Sequence, residues 1–256
     1  MPAFSYQLYS SRNNPPINAT LDVLSAAGYA QVEGYGGLFA DGTDASALAA
    51  SLAAKNLHMA SCHLGLDMVE GDPTGVLKLA QQLNIEAIFV PFIMPDDRPT
   101  DAAGWKAFGA RLEQMGAPLR AAGLQFGYHN HDFEFAALPD GTIPMDHILA
   151  GGPSLAWEAD IAWIMRGGAD PFAWLKSYAP RIIAAHLKDI APAGECEDED
   201  GWADVGHGTM DWPGLMTALS ETACRYFVME HDNPSDDTRF ARRAIAAAND
   251  FGKETA

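Results

Sequence analysis

The sequence predicts an α/β protein, a single (β/α)8 TIM barrel spanning residues 1–256. Three observations lead there. Short apolar runs alternate with helix-patterned stretches as eight strand-then-helix units. No linker or low-complexity break interrupts them. The length of 256 residues is that of one closed barrel. A doubly wound open sheet is the rival, but it would place a glycine-rich turn after the first strand. Here that turn reads SSRNNPP, without glycine.

Phe4–Tyr9 alternates and reads as the first strand. Leu21, Leu24 and Ala27 space a helix over Asn18–Ala27, closed by Gly28 at a C-cap position. Ala30–Glu33 is the second strand, and Thr43 and Asp44 can cap an alanine-rich helix through Lys55. His58–Leu64 is the third strand. Asp72-Pro73 then opens a helix to Leu83, with proline where its missing N–H does no harm. Glu86–Phe92 is nearly all apolar, as a strand covered on both faces should be. A long helix, Asp101–Ala122, leads to a fifth strand starting at Leu124 and ending in GYHNH. Leu155–Ala159, Ile182–Lys188 and Tyr226–Glu230 complete the strands. Helices near Pro171–Tyr178, Trp212–Ser220 and Asp236–Phe251 follow the last three.

Composition narrows the partners. With 34 acidic against 16 basic residues the formal net charge is −18, a field that repels nucleic acid and anionic membranes. Solubility is the plain reading of that acidity, and Glu195–Asp200 reads as a solvated loop. Three scattered cysteines without a CxxC pair suggest neither a disulfide framework nor a zinc knuckle. No signal peptide or membrane-length apolar run is visible, so a reducing cytoplasm is expected. A homo-oligomer is compatible with everything in the sequence.

Function is written at the strand ends. In such a barrel the C-terminal ends surround one mouth, and catalysis gathers there. Those ends here are Glu33, His63, His129 with His131 and Glu134, Asp160, His186 with Lys188, and Glu230 with His231. The strand starts show no comparable concentration of acids and imidazoles. His129 and His131 alternate, so both share one face while Asn130 takes the other. Carboxylates and imidazoles converging on one axis would repel one another without a cation, and mixed oxygen and nitrogen donors suit Mn²⁺, Mg²⁺, Co²⁺ or Zn²⁺. Lys188 points the same way as His186, toward either an oxyanion or an ion pair with Glu158. Trp163 and Trp157 offer an apolar wall for a sugar ring, and His207 sits between Gly206 and Gly208 in a loop able to approach a ligand.

The motifs VEGYGG (Val32–Gly37), YHNHDFEF (Tyr128–Phe135), WEADIAW (Trp157–Trp163), AHLKD (Ala185–Asp189), DVGHGTMDW (Asp204–Trp212) and VMEHD (Val228–Asp232) resemble the sugar phosphate isomerase/epimerase family. Its barrel is similar to those of xylose isomerase and endonuclease IV. The resemblance implies one divalent metal ion held by a carboxylate from strand five, an Asp from strand six, a His from strand seven and a Glu from strand eight. Asp160, His186 and Glu230 match the last three. At strand five this chain has His129 where many members have Glu, so the ligand is either His129 or a returning Glu134. Glu134 is favoured because it completes a hard-ligand set, leaving His129 and His131 to face substrate.

The resemblance also implies proton abstraction next to a carbonyl of a small-molecule sugar. Glu230 would act as base, Glu134 or a nearby His as its counterpart, and Lys188 and His129 would assist. His63, His131, Trp163 and His207 would contact substrate. A keto-sugar isomerase or epimerase is expected. A lyase or dehydratase sharing the first step is the alternative, and an endonuclease-IV-like repair enzyme is disfavoured by charge. An unphosphorylated substrate is expected, because Arg12 and Arg166 are the only arginines just beyond predicted strand ends.

Overall fold

A computed structural model describes residues 3–40 and 44–251, so Thr43 of the expected cap lies outside the described residues. Eight parallel strands close into a barrel: β1 (Phe4–Gln7), β2 (Gln31–Tyr35), β3 (His58–His63), β4 (Ala87–Val90), β5 (Gln125–His129), β6 (Ala156–Asp160), β7 (Ile182–Leu187) and β8 (Tyr226–Met229). Closure is made by β1, which pairs with β2 through Ser5↔Gln31 and with β8 through Phe4↔Phe227. The predicted fold class is the observed one.

Alternation along each strand divides its side chains. Val32, Met59, Ile88, Phe126, Tyr128, Trp157 and Met229 belong to the main apolar core. A smaller cluster of Ala60, Ala87, Phe89, Ala156, Ala184, Tyr226 and Val228 plugs the lower barrel. Two register shifts refine this division. Val32 pairs with Met59 but Glu33 with Ser61, and Trp157 pairs with Ile182 but Glu158 with Ala184. The extra residue in β3 and in β7 resets the alternation, so His63 and His186 join the inward set.

Helices are started by aspartate. Asp44, Asp72, Asp101, Asp160, Asp170, Asp211 and Asp236 each accept a backbone N–H of the first turn. Each such cap is worth roughly 1 kcal/mol. Part of the acidity read as solubility is therefore structural. Elements without a sequence signal also appear: the helices Leu66–Gly71, Pro144–Gly151 and Ile161–Arg166, and an antiparallel ribbon pairing Asp189–Ile190 with Trp202–Ala203.

Gly127 is required inside β5. A Cβ there would stand 2.3 Å from the carbonyl oxygen of Ala156 on β6. Gly127→Ala should therefore force β5 and β6 apart and cost about 1–3 kcal/mol by overpacking. The expected result is a lower urea midpoint with an unchanged m-value. An unchanged midpoint would show that this contact is not constraining.

Candidate metal centre

The inward residues at the upper ends of β2, β3, β5, β6 and β7, with Glu230 just after β8, form a buried polar group. Glu33, Glu158, Asp160, His129 and His186 are at most 2% exposed, and His63 and Glu230 at most 7%. Their spacing follows from the strands. On β6, Glu158 and Asp160 are two residues apart and face the same way at successive depths; on β7, His186 and Lys188 repeat the pattern.

The deeper layer is organised by two carboxylates. Glu33 Oε1 accepts from Gln7 Nε2 (2.8 Å) and lies 2.7 Å from His186 Nε2, while Ser61 Oγ donates to Glu33 Oε2 (2.5 Å). Glu158 Oε2 lies 2.5 Å from His63 Nε2, 3.2 Å from His129 Nδ1 and 3.4 Å from His186 Nε2. Burial alone would raise Glu33, but His63 and His186 bring it down to about 2. Glu158 moves the other way, to about 7, through burial and then the charge of Glu33. The same carboxylates oppose burial at the imidazoles, holding His63 above its ordinary value and His186 well above it. His129 is held well below, by burial and then by its imidazole neighbours and Lys188.

The upper layer faces the mouth. His186 Nδ1 lies 2.7 Å from Glu230 Oε2, and His129 Nε2 lies 3.9 Å from Asp160 Oδ2. Lys188 Nζ sits 2.9 Å from both Asp160 Oδ2 and Glu230 Oε2 and 3.0 Å from Asp232 Oδ1. Donor atoms of His129, Asp160, His186 and Glu230 all lie within 4.8 Å of one another, as do those of His63, His129, Glu158 and His186. Two buried imidazoles and two buried carboxylates match the donor preferences of a divalent ion. The buried Glu158 Oε1, with no hydrogen-bond partner among the described residues, marks the same surplus of negative charge.

Above this group opens a cavity of about 460 Å³. Its floor includes His63, His129, His131 and Glu230, and its wall is aromatic, with Tyr9, Tyr35, Phe92 and Trp163. His131 packs between Phe92 (5.0 Å) and Trp163 (5.3 Å), and burial and then Lys188 hold it down to about 3, as a neutral imidazole.

Several expected site residues fall elsewhere. Glu134 does not join the group. A 3-10 turn, Phe133–Phe135, turns its side chain back, where it accepts from Tyr128 OH (2.6 Å) and from the His131 backbone N–H (2.8 Å). Because Tyr128 and His129 are adjacent, Tyr128 faces the surrounding helices while His129 faces the axis. His129, and not Glu134, therefore stands with Asp160, His186 and Glu230. Lys188 pairs with Asp160, Glu230 and Asp232, and not with Glu158. His207 is exposed on its loop and is absent from the cavity lining. Trp157 is core, packed on Trp174 and Tyr178, whereas Trp163 does line the cavity.

The Glu195–Asp200 stretch is not simply solvated. Glu199 is 4% exposed and accepts from Ser235 and, with both oxygens, from Arg239 Nη2 (2.8 and 2.9 Å). This fastens the loop beside the mouth, and Asp200 reaches the cavity wall. Asn130, too, gains a role that its exclusion from the inward face only hinted at. Its Oδ1 accepts from Trp157 Nε1 (2.9 Å) and Asp160 N (3.0 Å), and its Nδ2 donates to Asp160 O (3.1 Å). The end of β5 thereby fixes the end of β6.

The chain matches the family described as "Xylose isomerase-like TIM barrel" over residues 21–251. It belongs to that family. No curated protein matches it. Among solved structures, a sugar phosphate isomerase/epimerase from Parabacteroides distasonis shares 20% identity, with 96% of this chain and 94% of that one covered at a TM-score of 0.81. The probable 3-DHS dehydratase AsbF from Bacillus anthracis shares 14%, covering 96% and 98% at 0.75. The IOLI protein, solved with a zinc atom, shares 14%, covering 99% and 97% at 0.75. At these identities the likeness to this xylose isomerase-like barrel is one of fold.

Asn130→Ala would leave the buried Trp157 Nε1–H and Asp160 N–H without their acceptor, each worth about 1–3 kcal/mol. A loss of at least ~2 kcal/mol in urea unfolding is expected. A variant as stable as the parent would mean that the β5–β6 tie is replaceable.

Proposed function

We propose that this chain is a divalent-metal-dependent isomerase or epimerase of a keto-sugar or keto-sugar derivative. The observation that carries the reading is the convergence of His129, Asp160, His186 and Glu230, of which His129 and Glu230 reach the floor of one aromatic-walled cavity. His129 here takes the place for which Glu134 was the favoured candidate. Bound between these four, a divalent ion would supply electrophilic polarisation of a carbonyl and its neighbouring hydroxyl.

The chain's own groups account for the rest. Glu230 lines the cavity and, with Lys188 and His186 outweighing its burial, stays ionised. It is the base that takes a proton from carbon next to the carbonyl. His131 faces the same cavity with a neutral ring, and its buried Nδ1 has no hydrogen-bond partner among the described residues. It is the counterpart that returns or relays the proton. Lys188 is absent from the cavity lining; it positions Asp160 and Glu230 instead of meeting substrate. Phe92, Tyr9, Tyr35 and Trp163 exclude water from a ring held between them.

Abstraction at carbon next to a carbonyl is also the first step of a β-elimination. The fold likeness to a probable dehydratase supports a lyase as the second reading. The substrate is read as unphosphorylated. Arg12 is the only arginine lining the cavity among the described residues, and its Nη1 already donates to Asp232 O (2.6 Å) and Tyr9 O (3.1 Å). A phosphorylated ketose preferred by ~100-fold in kcat/KM, about 2.7 kcal/mol, would overturn that.

Equilibrated with Mn²⁺, the protein should hold about one equivalent. Asp160→Asn, Glu230→Gln and His129→Gln should each weaken binding by ~10-fold or more, by analogy with lost ligands and their supports. Glu134→Gln should leave it unchanged. Candidate ketoses in D₂O should gain deuterium next to the carbonyl, and Glu230→Gln should abolish that exchange. Full exchange by metal-free protein, or metal lost only with Glu134, would sink the assignment.

A further inference from the structure

We propose a second ion-binding position beneath the first, formed by His63 Nε2, His129 Nδ1, His186 Nε2 and Glu158 Oε2. It goes beyond the proposed function, which uses only the upper group and survives if this inference fails.

Three imidazole nitrogens converge on one carboxylate oxygen at 2.5, 3.2 and 3.4 Å. A tetrahedral ion with bonds of about 2.0–2.1 Å holds its donors about 3.3 Å apart. Two of the three contacts already have that spacing, and the third must open by less than ~1 Å. All four residues are buried, and the rings pack with centroids 4.5–5.1 Å apart. Glu33 Oε1 stands at the edge, 3.2 Å from His63 Nε2 and 2.7 Å from His186 Nε2, so a doubly charged ion would meet two carboxylates there. The other oxygen of Glu158 is buried without a hydrogen-bond partner among the described residues.

The two positions differ in chemistry. Above, Asp160 and Glu230 supply half the donors, and the Lys188 ammonium bridges their oxygens. Below, three of four donors are nitrogen, and among the described residues no Lys or Arg is ion-paired with Glu33 or Glu158. Oxygen-preferring ions such as Mn²⁺ and Mg²⁺ belong above; Zn²⁺ and Co²⁺, which favour imidazole, belong below. His129 and His186 serve both positions through opposite nitrogens: His129 Nδ1 and His186 Nε2 turn down, His129 Nε2 and His186 Nδ1 turn up. A neutral imidazole offers one lone pair, so these two rings bind one ion in one position at a time. The kind of ion thus decides whether it meets the cavity or rests under its floor.

The test uses the full chain, stripped of metal and titrated separately with Co²⁺ and Mn²⁺. His63→Gln and Glu158→Gln should weaken Co²⁺ binding by ~10-fold or more, while Asp160→Asn and Glu230→Gln change it by less than ~3-fold. For Mn²⁺ the two pairs should exchange roles. Co²⁺ binding lost with Asp160 and Glu230 but indifferent to His63 and Glu158 overturns the inference and leaves the upper site standing. Wild-type protein binding neither ion overturns both. Anomalous scattering from a Co²⁺-soaked wild-type crystal decides without variants. A peak within bonding distance of His63 Nε2 and Glu158 Oε2 supports the lower position, and a single peak between Asp160 and Glu230 rules it out.

Discussion

Four buried carboxylates, Glu33, Glu158, Asp160 and Glu230, and Asp232 at the cavity edge crowd the upper barrel around one fixed cation, Lys188. An isolated buried charge costs several kcal/mol even after relaxation. The structure meets this with imidazoles. The carboxylates outweigh the cost of burial at His63 and His186 and hold both above their ordinary values, while burial pushes Glu158 and Asp232 up. Acidic groups outnumber the fixed cation that faces them, an imbalance that a divalent ion would offset. A divalent ion held by this cluster would offset a cost already built into the fold.

Such a concentration of charge requires support from parts that do no chemistry. The outward faces of the strands supply it through a core in which Tyr128, Trp157 and Phe126 are fully buried. Loops at the mouth are then fixed one by one. Asp189 takes up the N–H groups of Ile190, Gly206 and Met210 and the indole of Trp212, tying the ribbon to the helix that follows. Arg239 joins Glu199 to Asp204, so the acidic loop after β7 is anchored on the last helix. Asn130 does the same between β5 and β6. Each device satisfies backbone or carboxylate groups that a freely moving loop would leave to water.

The barrel was legible because its strands are buried on both faces, which leaves long apolar runs between helix-patterned stretches. The mouth was legible because ionisable residues close nearly every strand. What sequence could not supply is the direction of the chain after a strand ends. Glu134 is four residues beyond Asn130, and nothing in that spacing says whether the turn bends toward the axis or toward the helices. Tyr128 gave the available signal: an outward phenol needs a polar partner when buried, and a nearby Glu satisfies it. Of the two roles open to Lys188, the ion pair with Glu158 does not form, because Glu158 pairs with Ala184 and Lys188 lies just past the end of β7. The Pro144–Gly151 helix and the short ribbon are too brief to show a period.

The placement of Asp232 now has a physical reason. Lys188 is ion-paired with the same oxygens of Asp160 and Glu230 that an ion in the upper group would claim. Without another acceptor, that ion would have to strip a buried ammonium of its partners, which is strongly unfavourable. Asp232 supplies the acceptor, since both of its oxygens already lie 3.0 and 3.1 Å from Lys188 Nζ. Arg12 in turn holds the Asp232 backbone through its carbonyl. The ammonium can lean onto Asp232 while the ion takes its share of Asp160 and Glu230. Lys188 thereby holds those two carboxylates together beside the position that a divalent ion would take.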